Sequence, residues 1–233
     1  MFARLVPLGC LVFAPVCLNA QVPLERVEVK TSQSAAYTPG GTVRIEGTAQ
    51  ELDVETWDEP RVEATLVRTE YVGPADRDNM KKKLERLAVS VVKNGNDVSV
   101  TTTFPHRNFL GRWFRGKTNA DVHCRVMVPR NAKLFVRHQN GNLTVYGVTG
   151  DIDAKVHYGD IVLQLPDPEQ SAFQARVNMG GIFSDYAGKI PHKVWVGRDY
   201  SAPAGSGRKI TAQVDIGGIT LVKMFAHSST ATY

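Results

Sequence analysis

Asp151, Asp153, His157 and Asp160 fall within ten positions and are of types that could hold a cation or pass a proton. Carboxylate oxygens suit hard cations, and an aspartate beside a histidine suits general acid–base work. Their spacing speaks against both uses. A hard-cation loop carries a denser set of carboxylates, and Asp151 and Asp160 each follow a glycine, where short polar side chains serve turns. Asp153, Asp185 and Asp215 are the carboxylates that could face one another to cleave a glycosidic bond, but they do not fall in register. His227-Ser228 is an adjacency with no nucleophile-elbow motif and no partner acid. No Cys/His pair has zinc spacing. Cys124 shares the parity of Val122, Val126 and Val128 in an alternating run, which predicts a small buried core residue rather than a nucleophile. The chain is therefore expected to be no enzyme, with no catalytic residue, no metal and no cofactor.

The chemistry best suited to binding lies in Phe104 to Lys117, FPHRNFLGRWFRGK. Arg107, Arg112 and Arg115 alternate there with Phe109, Trp113 and Phe114. Such a mixture suits peripheral contact with the headgroup layer of an anionic membrane, or an acidic polysaccharide. The plainer reading is a long hairpin loop whose aromatics fold back over the end of the core.

The elements that would position these residues are announced by glycine. Gly141-Asn142-Leu143, Gly150-Asp151-Ile152 and Gly159-Asp160-Ile161 repeat glycine, polar, aliphatic at nine-residue steps. The longer pattern Ala154 to Ile161 recurs as Ala175 to Ile182 and as Ala212 to Ile219. Gly141, Gly150, Gly159, Gly180, Gly188 and Gly217 are read as turn glycines, supplying backbone angles that other residues resist. Two units make one coil of 18 residues, within reach of solenoid periods. Leu143 is expected to stack on Ile161, then Ile182 and Ile219; an antiparallel meander is the competing geometry.

Upstream, period-2 alternation predicts half-buried strands through Val43-Arg-Ile45, Leu52-Asp-Val54 and Val62-Glu-Ala64-Thr-Leu66. Thr38-Pro39-Gly40-Gly41 is a turn, and Asn94-Gly95 between alternating runs is a strong hairpin signal. Tyr71 to Arg86 reads as a short helix or a polar loop, with Lys81, Lys82 and Lys83 on a solvated face. The fold class expected is all-β: a single-stranded, β-helix-like solenoid with an antiparallel N-terminal portion.

Residues 1–20 carry one charge, Arg4, and an apolar run too short to span a membrane, the pattern of a cleaved secretory signal. Cleavage leaves residues 21–226 as one domain and 227–233 as a frayed tail, and it takes the net charge from +5 to +4. It also leaves Cys124 as the sole cysteine, so stability must come from burial rather than a disulfide. The expected location is the periplasm, the cell surface or the medium. Export makes nucleic acid an unexpected partner.

The order of motifs resembles a bacterial putative-adhesin family of unknown function, related to autotransporter-adhesin-head-like domains. The residues that carry the resemblance are Gly41-Thr-Val-Arg-Ile-Glu-Gly47, Leu87-Ala-Val-Ser-Val with Asn94-Gly95-Asn96, Val126-Met-Val128-Pro129, Asn140-Gly141-Asn-Leu-Thr-Val, and Gly205-Ser-Gly207 before Ala212 to Ile219. The resemblance implies an exported β-solenoid without recognised catalytic residues. The function expected is a structural or interaction scaffold that contacts envelope proteins or surface glycans and can self-associate. The alternatives are a module binding an anionic surface through residues 104–117 and a polysaccharide-active β-helix enzyme.

Overall fold

The computed structural model describes residues 23–103, 120–166, 171–185, 197–202 and 207–224. The segment read as a secretory signal, the basic aromatic stretch with Arg107, Phe109, Arg112, Trp113, Phe114 and Arg115, Gly188 and the residues read as a frayed tail lie outside them.

Alternation becomes strand almost throughout. The first strands are β1 (Glu25–Ala36), β2 (Thr42–Gly47), β3 (Glu51–Trp57) and β4 (Arg61–Val72). A 3-10 turn (Pro74–Asp76) then enters α1 (Arg77–Glu85). Of the segment read as helix or loop, Tyr71 and Val72 end β4 and Arg77–Glu85 is a helix, whose two-sided pattern explains why. Met80 and Leu84, four apart, are buried on one side, while Lys81, Lys82 and Lys83 stay in solvent. β5 (Ala88–Asn94) and β6 (Asp97–Thr103) form the antiparallel hairpin expected at Asn94-Gly95, with Gly95 at φ +62°. The remaining strands are β7 (Asp121–Pro129), β8 (Lys133–Asn140), β9 (Asn142–Tyr146), β10 (Ile152–Tyr158), β11 (Ile161–Leu165), β12 (Ala172–Ser184), β13 (Arg198–Ala202) and β14 (Lys209–Lys223).

Twelve strands follow one path, β1-β4-β7-β3-β9-β11-β14-β10-β8-β2-β6-β5, with β12 attached to β14 and β13 to β12. The end strands β1 and β5 lie against each other, and the Val91 N–H donates to Gln33 Oε1 at 3.0 Å, so the sheet nearly closes into a barrel. Pairing is parallel through the middle and antiparallel at the flanks, in β1–β4, β4–β7, β5–β6 and β12–β13. The sheet is therefore mixed rather than a uniform solenoid.

Two details correct the sequence reading. The N-terminal portion is not wholly antiparallel: β2 pairs in parallel with β8, and β3 with β9. Val43 and Leu52 are nine residues apart, the spacing of Leu134 to Leu143 and Ile152 to Ile161, so residues 42–57 supply a layer of the parallel stack with Gln50 where its neighbour has Gly141. The stacking order also differs. Leu143 lies in register with Ile161 as expected, but Ile161 is followed by Ile219 and only then by Ile182, because β14 inserts between β11 and β12. β14 is long enough to pair with β10 along its first half and β11 along its second.

Inward residues of all layers meet in one core. Ile45, Val136, Ala154, Ala212 and Ala175 occupy one column; Leu52, Leu143, Ile161, Ile219 and Ile182 occupy another. Alanine fills the first column in β10, β14 and β12, whereas the second is leucine or isoleucine in every layer. Cys124 is buried there, and burial pushes its thiol up to about 12, which makes it inert.

Candidate interaction surface

Between the two strands of each layer the chain turns a corner, and the corners stack. Gly141, Gly159, Gly217 and Gly180 stand in that order at φ +109°, +134°, +140° and +141°. A Cβ at Gly159 would overlap the carbonyl oxygen of Gly141, one at Gly217 that of Gly159, and one at Gly180 that of Gly217. Glycine is needed here for both backbone angle and clearance. Gly150, at the opposite end of β10, faces the Ala132 carbonyl just as closely, but it is not among the glycines with positive φ.

Where a polar residue follows the glycine, at Asn142, Asp160 and Asp151, it braces the next layer. The Asn142 amide oxygen accepts from the Asp160 N–H at 3.2 Å, and Asp160 Oδ1 accepts from the Gly218 N–H at 2.6 Å. Asp151 Oδ1 takes the Lys209 N–H at 2.8 Å. These are the side-chain-to-backbone bonds that short polar residues make at turns. On the inner side of the corner, His138 is buried, and its Nε2 lies 3.1 Å from the Ala49 carbonyl. A carbonyl only accepts, so Nε2 carries the proton. Burial holds this imidazole down to about 4, against the pull of the Ala49 and Asn140 carbonyls.

The outer sheet face is occupied by cross-strand ion pairs. Arg137 grips Asp153 with two bonds of 3.0 Å and stacks over Phe135 at 3.7 Å. Asp215 accepts from Asn178 Nδ2 at 2.9 Å, lies 2.6 Å from His157 Nδ1, and has Lys155 at 3.8 Å. The His157 hydrogen bond, with help from the Lys155 charge, holds the Asp215 carboxyl below its usual range. The four residues that could have formed a metal or acid–base cluster therefore have four different partners. Among the described residues no group of three His, Cys, Asp or Glu side chains is arranged to hold a metal.

The carboxylates that could have cleaved a glycoside are likewise dispersed. Asp153 is opposite Thr211 on β14, four residues before Asp215, a separation of about 13 Å along a strand. Paired catalytic carboxylates stand closer than about 10 Å. Asp185 is beyond the corner, where its N–H donates to the Leu221 carbonyl.

The outer rim of the corner is apolar. Tyr158, Ile216 and Met179, each preceding a corner glycine, are in register and exposed. Phe183 on the other side of the corner is 67 % exposed. At the far end of this row, Thr48 to Gln50 fastens both strands that flank the basic aromatic loop. The Thr48 N–H donates to Thr102 Oγ1 at 3.0 Å, and the Val122 N–H to Gln50 Oε1 at 2.8 Å.

Sequence reading missed the buried polar groups, and Arg68 is the largest of them. Arg68 lies on the inward face of β4 with no exposure. Its Nε donates to the Val29 carbonyl at 3.2 Å, Nη1 to the Leu84 carbonyl at 2.9 Å and to that of Leu87, and Nη2 to Thr31 Oγ1 at 3.0 Å. It ties the end of α1 to β1. The signal was present: Arg68 and Glu70 continue the inward parity of Val62, Ala64 and Leu66, where polar residues need a partner.

No family model matches this chain, and no curated protein matches it at a significant level. Among solved structures, a putative cell adhesion protein from Clostridium sporogenes is 8 % identical, with a TM-score of 0.49 over 84 % of this chain and 100 % of that one. A putative adhesin from Bacteroides fragilis is 11 % identical, with a TM-score of 0.25 over 83 % of this chain and 97 % of that one. A putative lipid binding protein from Parabacteroides distasonis is 8 % identical, with a TM-score of 0.22 over 84 % of this chain and 97 % of that one. At such values the fold rests on the strand pairing above.

Proposed function

We propose that this chain is a non-enzymatic, exported envelope protein of adhesin-like type, a scaffold whose parallel layers form a short β-solenoid segment. Its salt-bridged outer face contacts envelope proteins or surface glycans. The observation that carries this reading is the commitment of Asp151, Asp153, His157, Asp160 and Asp215 to bonds that brace one strand or layer against another. Side chains already holding the stack together are poor candidates for chemistry, which needs a group free to meet a substrate. Export rests on the charge and hydropathy pattern of residues 1–20.

Two measurements test it. Fractionation of the source cells, with mass determination of the mature chain, should find it in the envelope or medium with its first residue near Gln21; a full-length cytoplasmic chain contradicts export. Purified protein added to isolated envelopes should be retained in a saturable way, and failure to be retained contradicts the scaffold reading.

A second site for contact is the loop bearing Arg107, Phe109, Arg112, Trp113, Phe114 and Arg115, and both strands that flank it are fastened to the corner. If the loop binds an anionic membrane or acidic glycan, Trp113→Ala and Arg112→Glu will weaken retention on anionic vesicles or acidic glycan beads. Unchanged retention removes the loop from the account.

A further inference from the structure

Strand β3 sends Asp53, Glu55 and Trp57 to the outer face, in alternation with the buried Leu52 and Val54. Two cavities open along it. One, of about 350 Å³, lies between β3 and β9 and is lined by Asp53, Glu55, Thr144 and Tyr146. The other, of about 260 Å³, lies where the β1–β2, β3–β4 and β7–β8 connections meet. Tyr37, Trp57 and Pro129 give it an apolar wall, and Asp58, Arg130 and Asn131 a polar one. Glu55 of the first cavity and Trp57 of the second are two residues, about 7 Å, apart along the strand. Sites for drug-sized ligands run about 300–1,000 Å³, so each cavity suits a single ring rather than a large molecule.

We infer that the two cavities along β3 are adjacent subsites for a neutral saccharide chain. The inference rests on the reading above that the outer face meets glycans, and it gives that face a ligand class and a place. Every carboxylate here is matched by a nitrogen donor. Asp53 Oδ2 lies 2.7 Å from His123 Nε2, and Glu55 accepts from Arg125 Nε at 2.9 Å. Asp58 accepts from Arg130 Nε at 2.7 Å, and Glu59 Oε2 lies 2.7 Å from Arg61 Nε. A sugar hydroxyl both donates and accepts, and a carboxylate beside a nitrogen donor offers both partners side by side. Three of the four carboxylates are neutralised by arginine, so neither cavity has the unbalanced charge that selects an ionic ligand. Tyr146, 44 % exposed, presents a ring to the C–H face of one sugar unit, and Trp57 lines the place of the next. The second cavity is also preformed. Trp57 Nε1 donates to the Arg61 carbonyl at 2.9 Å, and the Arg61 guanidinium lies over the indole at 4.8 Å. The Tyr37 N–H donates to the Pro60 carbonyl at 3.0 Å, which ties two of the three connections together, so binding orders little that is not already ordered.

The test offers the purified full chain cellohexaose, maltohexaose, chitohexaose and, as an acidic control, hexagalacturonate. Binding is read by titration calorimetry and by the indole N–H resonance of Trp57, identified by its loss in Trp57→Phe. The expected result is saturable binding of a neutral hexasaccharide that shifts this resonance and is weakened about tenfold or more in Tyr146→Ala and in Trp57→Ala. Tyr146 is exposed, so Tyr146→Ala carries the test if Trp57→Ala fails to fold. No binding of any neutral hexasaccharide overturns the inference. So does binding that Tyr146→Ala leaves unchanged, or binding that is tighter for hexagalacturonate. Retention on envelopes without hexasaccharide binding removes the subsites and leaves the scaffold reading standing; the opposite pair of results overturns the scaffold reading and keeps the subsites.

Discussion

A Cβ placed on Gly159 would overlap the carbonyl oxygen of Gly141, the residue one layer away in the same corner. Gly159 also holds φ at +134°, where other residues are strained. Gly159→Ala should therefore cost roughly 2 kcal/mol or more in urea unfolding. Gly40 has φ +87° with open space around its Cβ position, so Gly40→Ala should cost only about 1 kcal/mol. Equal costs at the two sites would show that the corner is not closely stacked.

Arg68 is the second such point. Arg68→Met keeps the apolar volume but takes the donor from the buried Leu87 carbonyl and one bond each from the carbonyls of Leu84 and Val29, of which Leu84 keeps the Leu87 N–H. The loss should be about 2 kcal/mol, since a buried orphan acceptor costs roughly 1–3 kcal/mol. Arg68→Lys should recover little, because one ammonium cannot span three separate carbonyls and a hydroxyl. Amide exchange should show α1 loosening first.

Asp160 spans two layers through the Gly218 N–H. Asp160→Ala should cost about 1 kcal/mol, the net worth of a typical hydrogen bond, and Asp160→Asn should retain most of it because the acceptor oxygen remains. Equal losses in the two variants would assign Asp160 to charge rather than to bracing.

His138 sets a pH dependence. Its folded value is about 4 and its ordinary value is 6.5, so between these the unfolded chain binds more protons. Stability then rises with pH through this window. It is full above pH 6.5 and lower by about 3 kcal/mol at pH 4, at about 1.4 kcal/mol per unit. His138→Phe should flatten this part of the profile in urea titrations from pH 4 to 7, and an unchanged slope would assign the acid loss to other groups.

Most of the strand pattern was legible because alternation is local, and so was the Asn94-Gly95 hairpin. The parallel register of Leu143 on Ile161 could be read as well, since glycine and aliphatic recur together. The insertion of β14 between β11 and β12 could not, because β12 and β14 carry the same Ala-to-Ile pattern and nothing local orders them. The layer built from Val43 and Leu52 escaped because its corner passes through Thr48, Ala49 and Gln50 without glycine; the nine-residue spacing alone would have found it. His157 and Asp215 are 58 residues apart in sequence, so their pairing appears only once β10 and β14 are adjacent.

The central claim is that the carboxylates hold the stack and perform no chemistry. It is tested most directly by incubating purified protein with isolated envelopes from its source and measuring retained protein and released soluble sugar together. Wild type and the Asp153→Asn, Asp185→Asn, Asp215→Asn triple variant should both be retained, and neither should release sugar above the protein-free control. Sugar released by wild type and lost in the triple variant would contradict the account and make the chain a polysaccharide-active enzyme.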